Sequence, residues 1–216
     1  IMKEINVEQR SDEWFNLRLG KITGSHFGDI MPTAKQKDNA LSKGQLTYLR
    51  KVAAEILTGE REASYTSRAM EWGNDWETTS MKLYSITTLT TVRECGFYTD
   101  DIMIGSSPDG IVGNNAITFE TKCPESKQHL FYYLNPEELY KEYKWQGVGE
   151  VYCSEVSEKS GVITSFDPRM PDDRKLVIYD FEPTVEEFEL LRFRLDLCIA
   201  KIKEWIGEPT IEVNFS

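Results

Sequence analysis

Asp109, Glu120 and Lys122 are the residues whose types and spacing could do chemistry. Asp109 lies in the run Ser107-Pro108-Asp109-Gly110, and Glu120-Thr121-Lys122 follows after nine intervening residues. Two carboxylates and one backbone carbonyl make a hard oxygen site suited to Mg²⁺. Such an ion polarises a phosphodiester and activates water, and a second ion could stabilise the leaving oxygen. An adjacent ammonium, that of Lys122, is placed to steady the attacking water or the developing charge.

These groups need elements that point them the same way. Residues 117–123 read as a strand, rich in β-branched and aromatic types. Ile117, Phe119, Thr121 and Cys123 would leave one face, toward a core; Thr118, Glu120 and Lys122 would leave the other. Asp109 falls in a Pro-Asp-Gly turn after a short apolar run, residues 102–105. A hairpin turn at Gly113-Asn114-Asn115 brings its carboxylate to the same end of the sheet. Taken alone, the same letters also fit an ordinary turn and a solvated strand face with a weak surface ion pair.

Further signals place the remaining elements. Ser11-Asp12 caps a short helix carrying Trp14 and Leu17, ended by Gly20; Thr23-Gly24-Ser25 opens another. Residues 42–59 and 67–84 have helical spacing, and residues 88–99 favour strands. Residues 136–152 fit a helix with Pro136 in its first turn, 162–166 and 175–181 fit strands, and Thr184 starts a last helix ended by Gly207. The order predicts an α/β fold, a central mixed β-sheet flanked by α-helices. The 216 residues suit a single domain, and 40% apolar with 12% aromatic content is enough for a core. Residues 32–44 are polar and turn-rich, a candidate mobile loop.

No apolar run is long enough to span a membrane, and the first residues carry no apolar signal region, so neither insertion nor secretion is expected. Four scattered cysteines and two histidines make a zinc site or disulfide framework improbable; the cysteines are expected reduced. The net charge of −11 argues against blanket DNA coating, yet residues 1–51 hold nine Lys/Arg against six Asp/Glu. His129 has nothing to position it as a base, and a surface place or helix packing is its expected role.

Several stretches in order resemble the phage lambda exonuclease family, the YqaJ-type viral recombinase nucleases, within the PD-(D/E)XK nuclease superfamily. They are Trp14…Leu17-Arg18-Leu19-Gly20…Ile22-Thr23-Gly24-Ser25, Trp72-Gly73…Glu77, Ser107-Pro108-Asp109-Gly110, Glu120-Thr121-Lys122-Cys123-Pro124, Tyr143…Gln146 and Asp167-Pro168-Arg169-Met170. Together they span about residues 8–180.

The resemblance implies a restriction-endonuclease-like core. It implies that Asp109, Glu120 and the Thr121 backbone carbonyl bind Mg²⁺ (two ions, with Mn²⁺ a substitute), with Glu77 near the metal and Lys122 assisting hydrolysis. Arg18 would hold a 5′-terminal phosphate, with Ser25 and Ser107 in the same pocket. A guanidinium fork suits two phosphate oxygens. Gln146 would face the site, but the family's second glutamine is replaced here by Val148. The implied activity is 5′→3′ digestion of one strand from double-stranded DNA ends, leaving 3′ single-stranded tails for phage-type recombination. The implied assembly is a homotrimer ring, with a single-strand annealing protein as partner, in the cytoplasm of a bacterial host. Lys35, Lys37 and Lys43 are candidates to guide the duplex. Two other readings stay open: a different DNA endonuclease or repair nuclease on this fold, and a non-catalytic DNA-binding scaffold.

Overall fold

The structure is a computed structural model that describes residues 2–33, 37, 39–62, 68–100 and 102–207. The expected helices form where their caps stand. The first, α1 (Asp12–Arg18), is capped by the Ser11 side chain, which accepts from Trp14 N–H. A 3-10 turn, Gly24–His26, leads into α2 (Phe27–Ile30). Helix α3 (Lys43–Thr58) begins with a reciprocal Ser42/Gln45 capping box and ends on Gly59 in the left-handed region. Helix α4 (Arg68–Thr88) runs four residues past its expected end, and its expected first residue, Ser67, lies outside the described residues. Lys35 of the polar segment also lies outside them, whereas Lys43 is the first residue of α3.

The strands form two sheets rather than the single central sheet expected. One is four-stranded, built from β1 (Lys3–Ile5), β4 (Phe97–Thr99), β5 (Ile104–Ser106) and β2 (Ile22–Thr23) in that order. The other is five-stranded, in the order β3 (Val92–Arg93), β6 (Gly110–Val112), β7 (Ile117–Lys122), β8 (Gly161–Phe166) and β9 (Leu176–Phe181). Both are mixed, with β2 parallel to β5 and β7 parallel to β8. Residues 107–109 join β5 of one sheet to β6 of the other, which brings the two sheets together at Asp109.

Parallel pairing of β7 and β8 demands a crossover. It is made by α5 (Ser126–Leu134), unforeseen in the sequence, and α6 (Pro136–Ser154). That crossover changes the environment of β7. Phe119 and Val162 pack against Met81 and Tyr84 of α4, as the parity argument requires. The opposite face is covered by α6: Ile163, in register with Glu120, belongs to the larger core with Leu139, Val148 and Val151. Glu120 is only 5% exposed, so the solvated-face reading of Glu-x-Lys is excluded. The last helix, α7 (Val185–Ile206), has a Thr184/Glu187 capping box and closes the same core with Leu191, Leu195, Cys198 and Ile202. All four cysteines are free. No helix among the described residues is long and apolar enough to cross a membrane.

Candidate active site

Strand geometry assembles the acidic half of the site. β6 runs antiparallel to β7, with Gly110 opposite Phe119, so Asp109 stands at the C-terminal end of β7. There its Oδ2 accepts the Thr121 N–H at 2.7 Å. Thr118 N–H donates toward β8, to the Ser160 carbonyl, so the alternate residue Thr121 turns its peptide groups toward β6. β6 begins only at Gly110, so the Thr121 carbonyl points past its end, on the Asp109 side.

Glu120 and Lys122 leave the other way, under α6. Lys122 Nζ donates to Glu120 Oε1 at 2.6 Å and to Gln146 Oε1 at 2.9 Å. Gln146 Nε2 donates to Glu120 Oε1 at 2.6 Å and to Glu150 Oε1 at 2.8 Å. One amide therefore presents its oxygen to the ammonium and its nitrogen to two carboxyl groups. Glu150, 1% exposed, is a site residue the sequence reading missed. Its signal was available, since four residues after Gln146 on a helix is the same face. Val148, two residues on, points into the core, so a second glutamine at that position would face away from this site. Behind β7, Ser80 of α4, Thr121 and Thr164 share a buried hydroxyl cluster, with Ser80 and Thr164 at 2.6 and 2.7 Å from Thr121 Oγ1.

The electrostatics follow from crowding. Burial and then the repulsion of Glu120 and Glu77 push the Asp109 carboxyl well above the usual carboxylate range. Burial and then Glu120 do the same to Glu150. Burial raises Glu77 despite its ion pair with Arg10. Burial disfavours the Lys122 ammonium, but Glu120 and Asp109 outweigh it and raise its pKa.

This chemistry fits a cation. Glu120 Oε2 and Glu150 Oε2 are buried with no hydrogen-bond partner. Four neighbouring carboxyl groups face one lysine and the Arg10 of an ion pair. Among the described residues no three His, Cys, Asp or Glu side chains converge as a ready ligand set. Asp109, Glu120 and the Thr121 carbonyl offer oxygen donors of the kind a hard divalent cation takes.

The basic half comes from α1, the 3-10 turn and the segment after β5. Arg18 Nη2 lies 3.3 Å from Thr23 Oγ1 and 3.4 Å from Ser25 Oγ. Its guanidinium stacks on Trp14 at 4.1 Å, while Trp14 Nε1 donates to Ser107 Oγ at 2.8 Å. Trp14 is core and also holds both polar groups in place. Among the described residues Arg18 has no ion-pair partner, and burial pulls it down to about 10, against the opposing influence of Tyr48 and Glu55. A partly buried guanidinium that, among the described residues, meets hydroxyls and no carboxylate has the chemistry to take an anion.

A cavity of about 560 Å³ joins the two halves: Arg18, Ser25 and Ser107 line it together with Glu77, Asp109, Glu120, Thr121, Lys122 and Gln146. Every site residue singled out in the sequence reaches this one space. Gln9 and Arg10 line it too and were not foreseen. Gln9 Nε2 donates to the Pro108 carbonyl at 2.8 Å and to that of Cys95 at 2.9 Å, tying down the turn that carries Asp109. Arg10 adopts φ of 69°, a left-handed geometry that no sequence signal marks. His129 is buried, its Nδ1 2.8 Å from Ser165 Oγ and its Nε2 2.8 Å from the Arg174 carbonyl, so packing is its role.

The YqaJ-like viral recombinase domain matches residues 13–157, which include every cavity-lining group named above except Gln9 and Arg10. The chain belongs to that family. No curated protein matches the sequence. Among solved structures, the chain is similar to an alkaline exonuclease (LHK-Exo) from Laribacter hongkongensis, with TM-score 0.79 and 26% identity over 91% of this chain and 95% of that one. LHK-Exo in complex with dAMP matches at TM-score 0.79 and 27% identity, with the same coverage. A phage related exonuclease from Haemophilus somnus 129PT shares the fold, at TM-score 0.73 and 17% identity over 89% and 97%. The mixed α/β family fold expected from the motifs is the one present.

Proposed function

We propose that this chain is a divalent-metal-dependent exonuclease that digests one strand of linear duplex DNA from its 5′ end and leaves 3′ single-stranded tails. One observation carries this reading. A single cavity contains both an unpaired guanidinium with two hydroxyls and a carboxylate–lysine centre. The first suits a terminal phosphate and the second the hydrolysis of the neighbouring linkage. Family membership and the likeness to LHK-Exo support it, as does the dAMP complex of that relative.

In this reading Asp109, Glu120 and the Thr121 carbonyl hold Mg²⁺, with Glu77 and Glu150 as further carboxyl groups alongside. When bound, the ion supplies Lewis-acid polarisation of the scissile phosphodiester and lowers the pKa of water. Arg18, Ser25 and Ser107 anchor the 5′ phosphate and so set which linkage lies over the carboxylates. Lys122 donates to the attacking water or the developing negative charge. Gln146 holds Lys122 and Glu120 in mutual orientation, and Trp14 holds Arg18 and Ser107. The excess of acidic residues suits an enzyme that retains DNA by enclosure, in a homotrimer ring, more than by charge. Recombination with an annealing partner in a bacterial cytoplasm completes the proposal.

The test is digestion of linear duplex carrying 5′-phosphate or 5′-hydroxyl ends, beside closed circular DNA, with Mg²⁺. Wild type should degrade the linear forms, prefer the phosphate and spare the circle. Lys122→Ala should release nothing, and Arg18→Ala should lose the end preference. Cutting of the circle would indicate an endonuclease. No release of nucleotides by wild type would leave the DNA-binding scaffold.

A further inference from the structure

The Asp167-Pro168-Arg169 motif has no part in the site above, yet its geometry is that of a built binding group. Asp167 follows β8 and is fully buried. Its Oδ1 accepts the Arg169 backbone N–H at 3.0 Å and Nε at 2.8 Å, and its Oδ2 accepts Nη2 at 2.9 Å. The Arg169 guanidinium lies 4.4 Å over the Trp72 ring of α4. Trp72 in turn contacts Trp76 at 5.5 Å, which contacts Phe166 of β8 at 6.3 Å. Exposed ion pairs are usually incidental. This one has a wholly buried carboxylate, two hydrogen bonds from the guanidinium and an aromatic platform, while 49% of the Arg169 side chain stays open to solvent. Its Nη1 has no acceptor among the described residues. The one other charged group acting on it is Glu125.

Topology sets where this guanidinium stands. β7 and β8 are parallel, with Lys122 in register with Ser165. Asp167 therefore leaves β8 at the sheet end where Glu120 and Lys122 leave β7 and where Asp109 enters β6. Across that end the order is Asp109, then Glu120 and Lys122, then Asp167 and Arg169. Arg18 ends α1 and Ser25 lies in the 3-10 turn after β2, and both line the cavity with Asp109. Cys123, Pro124, Gly73 and Asn74 line the cavity, and Gly73 follows Trp72, the ring under Arg169. Neighbouring strands stand about 5 Å apart, and the duplex rises about 3.4 Å per nucleotide.

Resting on the exonuclease reading, we propose that Arg169 holds a backbone phosphate of the digested strand, one or two nucleotides past the scissile linkage. With Arg18 it would grip the strand on both sides of the cut. A guanidinium already fixed by Asp167 and Trp72 loses little freedom when the phosphate arrives, and a planar donor is what that acceptor needs.

The test uses duplexes in which single linkages near the 5′ end are replaced, one at a time, by uncharged methylphosphonate. Binding is measured in the Lys122→Ala background, which keeps the DNA intact, with and without Arg169→Gln. One internal linkage should weaken binding about tenfold in the parent, as loss of a charge-assisted hydrogen bond does. Arg169→Gln should show the same loss on ordinary DNA and become indifferent to that linkage. Asp167→Asn combined with Arg169→Gln, which leaves no buried unpaired carboxylate, should behave as Arg169→Gln does. Unaltered affinity, a loss equal at every linkage, or sensitivity retained at every linkage in both variants would overturn the proposal. Cleavage of ordinary linear duplex by wild type, run alongside, reports separately on the exonuclease reading.

Discussion

Gly149→Ala is the sharpest probe of how the two halves of the site are held together. Gly149 lies on α6, one residue before Glu150 and three after Gln146. A Cβ there would stand 1.8 Å from Cδ2 of Phe27, the residue that opens α2. Ordinary contact begins at 3.4 Å, so ring and helix must separate by about 1.6 Å. Phe27 is fully buried and has no free direction in which to retreat. Helix propensity alone would favour alanine by about 1 kcal/mol. Overpacking of a filled core costs about 1–3 kcal/mol, and a clash this short belongs at or above the top of that range. The expected net loss is about 2 kcal/mol, or roughly 4–8 °C in Tm for a chain of this size. Separation of α6 from α2 also moves Gln146 and Glu150 away from the turn bearing Ser25, so binding of 5′-phosphorylated ends should weaken along with stability. Gly73→Ala is the control: it is also helical, but a Cβ there meets nothing within 4 Å, and it should be neutral or stabilising. Thermal and urea unfolding of both variants measure the difference. Equal stability of the two alanine variants would refute the packing argument.

Further outcomes follow from the charges and from His129. Folding raises the pKa of Asp109, Glu150 and Glu77, chiefly through burial, so the folded state keeps protons that the unfolded chain releases. Without metal, stability should therefore fall as pH rises above the ordinary carboxylate range, by at most about 1.4 kcal/mol per unit for each group. Mg²⁺ should reduce that fall; urea midpoints that stay flat or rise with pH in the metal-free protein would contradict the crowding described. His129→Ala removes two buried hydrogen bonds and should cost about 2–4 kcal/mol of stability, measured by urea unfolding. Its cleavage rate at saturating DNA should match wild type, and a large rate loss in folded variant protein would give His129 a chemical role.

Local signals carried much of this molecule. Ser42, Thr184, Gly59 and Gly207 mark helix ends through hydrogen bonds and backbone angles that depend only on near neighbours, and the helices begin and end there. The alternation through 117–123 assigned Phe119 and Glu120 to opposite faces of one strand for the same reason, since the period of two belongs to the backbone. The motifs also named Arg18, Ser25, Ser107, Glu77 and Gln146, all of which line the cavity.

Only the tertiary structure decided what covers each face and what meets what. The β7–β8 crossover buries Glu120 under α6, and burial of Glu150 beside it, followed by the Glu120 charge, raises the Glu150 carboxyl. On sequence alone Gly147 and Gly149 weaken a helix or permit close packing, with nothing to name the partner. In the fold they are close approaches to Phe181 and Phe27, whose rings arrive from distant segments. Gln9 on Pro108, Arg10 on Glu77 and Arg169 on Trp72 link residues 67 to 99 positions apart. Hydrogen bonds and ring stacking of that span leave no periodic trace in the chain, because they depend on where the sheets end in space.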